Sequence, residues 1–186
     1  MDLLFKNFPY FMDVYFNFSL TDYGTVFFLC TAIFWGLQLC CERKYENRMD
    51  FPVSLLFAAY FSTVVCITLL NQNRENCRQL ILNPFIAIRG LKGELGVHYL
   101  RGIVSNVIMF IPFGMFASLR FKSKAILRSG LWGAVCSIVI EAAQYVFQKG
   151  VTETLDIICN AFGSLLGASL VSLFTMIKKR EMKDAQ

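Results

Sequence analysis

The chain has 186 residues, 56% of them hydrophobic and 17% charged, with 19 Phe and a mean hydropathy of +0.52. A soluble domain of this size cannot hide so much apolar surface, and the apolar residues fall in blocks, so the sequence reads as an integral membrane protein. The formal net charge of +5 sits in short segments with no long basic run, which argues against a nucleic-acid surface and for topology information with weak attraction to anionic lipid.

Residues 1–22 open with Asp2 rather than a basic region, and Lys6, Pro9 and Asp13 interrupt the hydrophobicity. That is a poor pattern for a cleavable signal peptide. The aromatic string Phe8, Tyr10, Phe11, Tyr15, Phe16 and Phe18 suits an interfacial segment at headgroup depth. Apolar runs near 23–41, 52–70, 102–119, 129–148 and 155–177 then approach the ~20 residues that a helical crossing requires. The third run contains Pro112 and the fifth Gly163 and Gly167, which membrane helices accept where neighbouring helices cover the backbone. The expected fold is therefore all-α, a polytopic bundle of about five transmembrane helices.

Basic residues set the expected orientation. Segment 42–50 carries Arg43, Lys44 and Arg48, segment 120–128 carries Arg120, Lys122, Lys124 and Arg128, and segment 178–186 carries Lys178, Lys179, Arg180 and Lys183. The alternate side holds Lys6, Arg74, Arg78, Arg89, Lys92, Arg101 and Lys149, spread over longer loops. The positive-inside rule thus favours an outer N-terminus and an inner C-terminus. Residues 1–79 read as an N-terminal region with two transmembrane helices, 80–177 as the main membrane domain, and 178–186 as a basic cytoplasmic tail. The location is a cell membrane, crossed several times.

Seven cysteines do not make a disulfide framework here. Cys30, Cys40, Cys66, Cys136 and Cys159 lie in apolar runs, Cys41 at an edge, and Cys77 in a loop. No spacing suggests a metal site, and no cofactor motif is present. The sole histidine, His98, suits a loop or interfacial role better than ligation or catalysis.

The informative residues are polar groups inside or at the mouth of the last three runs: Asn106, then Glu141 and Gln144, then Asp156 and Asn160. A carboxylate at mid-membrane costs about 2.5–3.5 kcal/mol even on lenient scales, so such a set marks a functional site by default. Residues three or four apart share a helix face. Glu141 and Gln144 do so, and Ser137, Ala134 and Gly133 continue that stripe. Glu153, Asp156, Asn160, Gly163 and Gly167 form a second stripe, and Asn106, Phe110 and Gly114 a third. In the expected topology all the polar groups gather toward the outer surface. Small residues permit close helix approach, so the last three helices should enclose a polar pocket open to the outside. A single buried amide needs no such role, since helix-to-helix hydrogen bonding at roughly 0.6 kcal/mol accounts for it. A carboxylic acid needs a partner, a raised pKa or water. Arg101 is the nearest cation in this pattern and Lys149 the second.

The ordered segments N-P-F (83–85), N-V-I-M-F-I-P-F-G (106–114), I-E-A-A-Q (140–144) and E-T-L-D-I-I-C-N-A-F-G (153–163) resemble the VanZ-like family over roughly residues 80–170. The resemblance marks the first two helices as a variable addition. It carries Asn106, Phe110, Pro112, Gly114, Glu141, Gln144, Asp156, Asn160 and Gly163 onto the family's recurrent positions. Glu153 stands where many members have Asp, which keeps the charge. Gly150 and Val151 stand where many relatives carry an Arg, which throws the pairing of the acids onto Arg101 or Lys149, or leaves one acid protonated. The likeness implies a phenotype rather than a reaction: reduced sensitivity of a bacterium to teicoplanin, a glycopeptide antibiotic that acts on cell-wall precursor outside the membrane.

Three readings follow. The first is an outward pocket lined by Asn106, Glu141, Gln144, Glu153, Asp156, Asn160 and Arg101. It would bind a membrane lipid, a lipid-linked cell-wall precursor or a lipoglycopeptide. The second is a membrane enzyme modifying a lipid-linked envelope substrate, with Glu141 and Asp156 as its catalytic acid–base pair. The third is a non-catalytic scaffold whose polar set only fixes helix packing. The residue pattern does not decide whether a reaction occurs, nor the oligomeric state. A transporter is disfavoured, because five helices without an internal repeat offer no evident alternating access.

Overall fold

The computed structural model describes residues 16–41, 51–71, 78–86, 96–121 and 123–184. The aromatic string ahead of Phe16, Cys77, and residues 72–77 and 87–95 of loop 71–101 lie outside the described residues. The helices are α1 (Leu20–Cys41), α2 (Phe51–Val65), α3 (Gly96–Ser118), α4 (Ala125–Phe147) and α5 (Thr154–Asp184). Two short strands, β1 (Gln79–Ile81) and β2 (Val151–Glu153), pair in a two-stranded sheet. Each apolar run of the sequence has its helix. The runs at α2 to α5 are long and apolar enough to cross a membrane, and α1 has a shorter apolar stretch, Leu20–Phe34, among the described residues.

Two compact units make up the chain: Met1–Gln79 with Ala143–Val151, and Leu80–Ala142 with Thr152–Gln186. In the first unit α1 starts on a Ser19 cap, whose hydroxyl accepts the Asp22 N–H at 3.0 Å. The Tyr23 hydroxyl donates to the Ala59 carbonyl at 3.1 Å, and the Phe34 and Phe57 rings meet at 5.1 Å, so aromatic contacts join α1 to α2. The buried face of α2 is built from small residues, Ser54, Ala58 and Ser62.

The second apolar run is not a uniform α-helix. It passes without a break into a π-helical turn, Cys66–Leu70, and ends at the extended Asn71. Thr68 explains part of this, because its buried hydroxyl bonds back to the Val64 carbonyl at 2.8 Å, a local competitor of regular backbone bonding. The C-terminus of α4 also belongs to this unit. Gln148 takes a left-handed conformation, φ 57°, and the Lys149 N–H reaches back to the Gln144 carbonyl at 2.9 Å, the Schellman pattern of helix termination. Arg78 donates to the Tyr145 and Val146 carbonyls at 3.3 and 3.5 Å and lies 5.2 Å from the Tyr145 ring centre. A cation there answers the negative end of the helix dipole.

In the second unit α3 and α5 lie backbone to backbone. A methyl group on Gly163 would overlap the Val107 carbonyl, and one on Gly167 the Ile111 carbonyl. These helices therefore run parallel, with Tyr99, Ile103 and Val107 packed on Leu155 and Cys159. Helix α4 runs against both. A methyl on Gly133 would overlap the Ser164 hydroxyl, and one on Gly130 the Leu165 side chain. The buried face of α5 is Leu155, Cys159, Asn160, Gly163, Ser164, Gly167 and Ala168. Beyond it the helix continues through Lys178, Lys179, Arg180 and Lys183 to Asp184. The expected tail is thus the last turns of α5, as its helix-forming residues without Gly or Pro permit. His98 lies in the first turn of α3, not in a loop.

Candidate functional site

Two series of residues at four-residue spacing face each other along the α4–α5 contact. On α4 they are Ser129, Gly133, Ser137 and Glu141, and on α5 Asp156, Asn160, Ser164 and Ala168. Two contacts fix the antiparallel register: Gly133 lies against Ser164, and the Asn160 amide donates to the Ser137 hydroxyl at 2.7 Å. The next step along this register brings Asp156 level with Glu141. The Ser164 hydroxyl donates to the Asn160 carbonyl at 3.0 Å, tying the amide's own backbone into the same seam.

Glu141 is 4% exposed. One of its carboxylate oxygens accepts the Glu153 N–H at 3.0 Å, and its backbone carbonyl accepts the Thr152 hydroxyl at 3.3 Å. Glu153 immediately precedes α5, so the carboxylate sits at the positive end of that helix and satisfies one of its orphan donors. This is how a buried acid is made tolerable in an apolar setting. It also gives Glu141 a structural duty alongside any chemical one.

Asn160 is 2% exposed, and its side-chain oxygen has no hydrogen-bond partner; the hydroxyl of the fully buried Ser129 has none either. An unmet buried polar atom costs about 1–3 kcal/mol, which native structures seldom carry without a reason. At Asn160 the unmet atom lies one helical turn below Asp156, in the seam that holds Glu141.

Of the residues singled out in the sequence, Glu141, Glu153, Asp156 and Asn160 come together at the α4–α5 contact. Arg101 is exposed near the start of α3, and Asn106 is half-buried one turn further along. Because α3 and α5 run parallel, Arg101 is at the same end of the unit as Asp156. Gln144 belongs to the first unit, where its buried amide donates to the Thr68 carbonyl of the π turn at 3.1 Å. Lys149, the second candidate cation, also belongs to the first unit. Sequence reasoning overlooked Thr152, Ser164 and Thr68. Ser164 carried a signal, as the residue four beyond Asn160 inside G-S-L-L-G. Thr68 carried none, since its role depends on a carbonyl exposed by the π turn.

Residues 53–175 match the VanZ/LLP1 family. The match begins in α2, upstream of the first motif at Asn83. A curated relative, Protein VanZ of Enterococcus faecium, is 31% identical over 125 residues, covering 63% of this chain and 72% of that protein. No solved structure matches.

Proposed function

The chain belongs to the VanZ/LLP1 family, and on that footing we propose that it lowers sensitivity to teicoplanin by seating an amphiphilic or lipid-linked envelope ligand against the α4–α5 polar seam. The observation that carries this reading is the buried Glu141 beside an Asn160 oxygen with nothing to accept. Packing alone has no need of an unsatisfied acceptor next to acids, whereas a ligand-binding seam does. The N-terminus lies outside and the C-terminus inside, on the strength of the basic segments that follow α1, α3 and the apolar part of α5. The seam's acidic end then faces the extracytoplasmic side, where the antibiotic and its target are found.

The test is a double substitution, Glu141→Gln with Asp156→Asn, in cells that gain teicoplanin resistance from this protein. Glutamine keeps an oxygen for the Glu153 N–H, so the helix start is preserved while the charge is removed. Resistance should fall to that of cells without the protein, at unchanged abundance in the membrane. Full resistance at equal abundance would remove the seam from the function.

One observation favours a second reading. The register that sets Glu141 level with Asp156 brings two carboxyl groups, one buried and one half-buried, to one level of the seam. That is the arrangement of an acid–base pair acting on a lipid-linked substrate. Mass spectra of extracted lipids with and without expression should then differ. Identical profiles count against catalysis and leave the binding reading standing.

A further inference from the structure

The N-P-F segment, Asn83–Phe85, takes no part in the α4–α5 seam, yet its local structure is specific. Asn83 closes a turn: its Oδ1 atom accepts the Phe85 N–H at 3.0 Å, and its carbonyl accepts the Ile86 N–H at 3.2 Å. Pro84 has no N–H to satisfy. The donors of the turn are thus met inside the chain, while its side chains look outward. Leu80, Leu82, Phe85 and Ile86 are between 49% and 69% exposed, with the half-buried Ile81 marking the alternation of an extended strand. The depth of this apolar patch is set by strand pairing. β1 is hydrogen-bonded to β2, and β2 runs directly into α5, a helix long and apolar enough to cross a membrane. Paired strands lie about 5 Å apart, so β1 is within one strand spacing of the mouth of a span. The parallel helix α3 starts at the same end and exposes Val97 and Leu100 there.

We infer that residues 80–86 form an interfacial anchor, whose partner is the headgroup–acyl boundary of the lipid leaflet at the acidic end of the α4–α5 seam. A turn whose N–H groups are already bonded loses little on leaving water, whereas an open loop would carry orphan donors into a less polar layer. That is the use of Asn and Pro at the centre of an otherwise apolar stretch: they let Leu80, Leu82, Phe85 and Ile86 enter lipid together. The attraction is apolar burial and not charge, so salt leaves it almost untouched. The anchor stands apart from the ligand reading above and holds for either orientation of the chain.

The experiment places a single tryptophan in the turn. In the full-length protein, Trp35→Phe and Trp132→Phe remove the natural tryptophans, and Phe85→Trp supplies the reporter, in phosphatidylcholine nanodiscs. The reporter should emit to the blue of tryptophan in water and resist quenching by iodide. A doxyl group near the top of the lipid acyl chain should quench it about twofold or more better than one near the chain end, as for a side chain seated about 5–10 Å into the boundary. High salt should change none of this. Adding Leu80→Ser and Leu82→Ser should move the emission to the red and restore iodide quenching. Both leucines are exposed, so the size-exclusion profile should stay unchanged; if it does not, Phe85→Trp alone decides. Iodide quenching as strong as for free tryptophan would overturn the anchor, and strongest quenching by the deep label would overturn its interfacial depth. Protection from iodide and from both lipid labels would assign the segment to a second copy of the chain instead. Lipid quenching lost in high salt, or fully kept in a folded serine variant, would overturn apolar insertion.

Discussion

Position 141 holds a carboxylate almost wholly removed from solvent, and the backbone N–H of Glu153 supplies part of what water would have given it. The two properties of that side chain, its charge and its accepting oxygen, can be separated by substitution. Glu141→Ala leaves the Glu153 N–H without its acceptor and should cost about 1–3 kcal/mol of stability. Glu141→Gln keeps an oxygen in place and should cost distinctly less. Thermal unfolding of the two variants in the same detergent gives the comparison. Equal losses would mean that charge at the start of α5, and not the hydrogen bond, does the stabilising. That Glu141, Asp156 and Asn160 would be drawn into the α4–α5 contact was legible from the sequence, because a charge or amide in an apolar run is costly wherever it faces lipid. The bond from Asn160 to Ser137 was half legible. Periodicity put each residue on a face, but the register between α4 and α5 comes from where Gly133 and Ser164 interlock. The destination of Gln144 was not legible at all, since the Thr68 carbonyl becomes available only through the π turn.

Helix pairing in the second unit depends on positions where nothing larger than hydrogen fits. Gly163→Ala and Gly167→Ala each drive a methyl into a carbonyl of α3, and backbone is the least forgiving neighbour, so a loss of about 1–3 kcal/mol is expected for each. Gly24 and Gly102 face open space. Their change to Ala should be neutral or stabilising by up to about 1 kcal/mol, through helix propensity alone. Melting temperatures of the four variants decide the matter, and a loss at Gly24 or Gly102 as large as at Gly163 would contradict the packing described. The helices themselves were readable from their apolar runs. Their ends were read less well. Helix α5 continues through the basic residues after Ile177, because Lys, Arg, Glu and Met continue a helix as readily as the residues before them. Helix α4 closes with Gln148 in a left-handed conformation and Arg78 on its last carbonyls, a contact drawn from far away in the chain.

For the molecule as a whole, the orientation proposed from its basic segments makes a definite forecast. A membrane-impermeant thiol reagent should label Cys77 in intact cells when the other cysteines are replaced by serine or alanine. Labelling only after the membrane is opened would reverse the orientation. The tight fit of α3 on α5 has a bearing on biosynthesis as well. The last long helix reaches the translocon after the other four, yet it supplies the surface that covers Phe110 and Gly114. Until the ribosome has finished α5, the earlier helix must wait in the bilayer with an incomplete lining. A nonsense mutation shortly after Phe147 should therefore leave a fragment that inserts but is removed by membrane proteases, whereas a stop after Ile177 spares the protein.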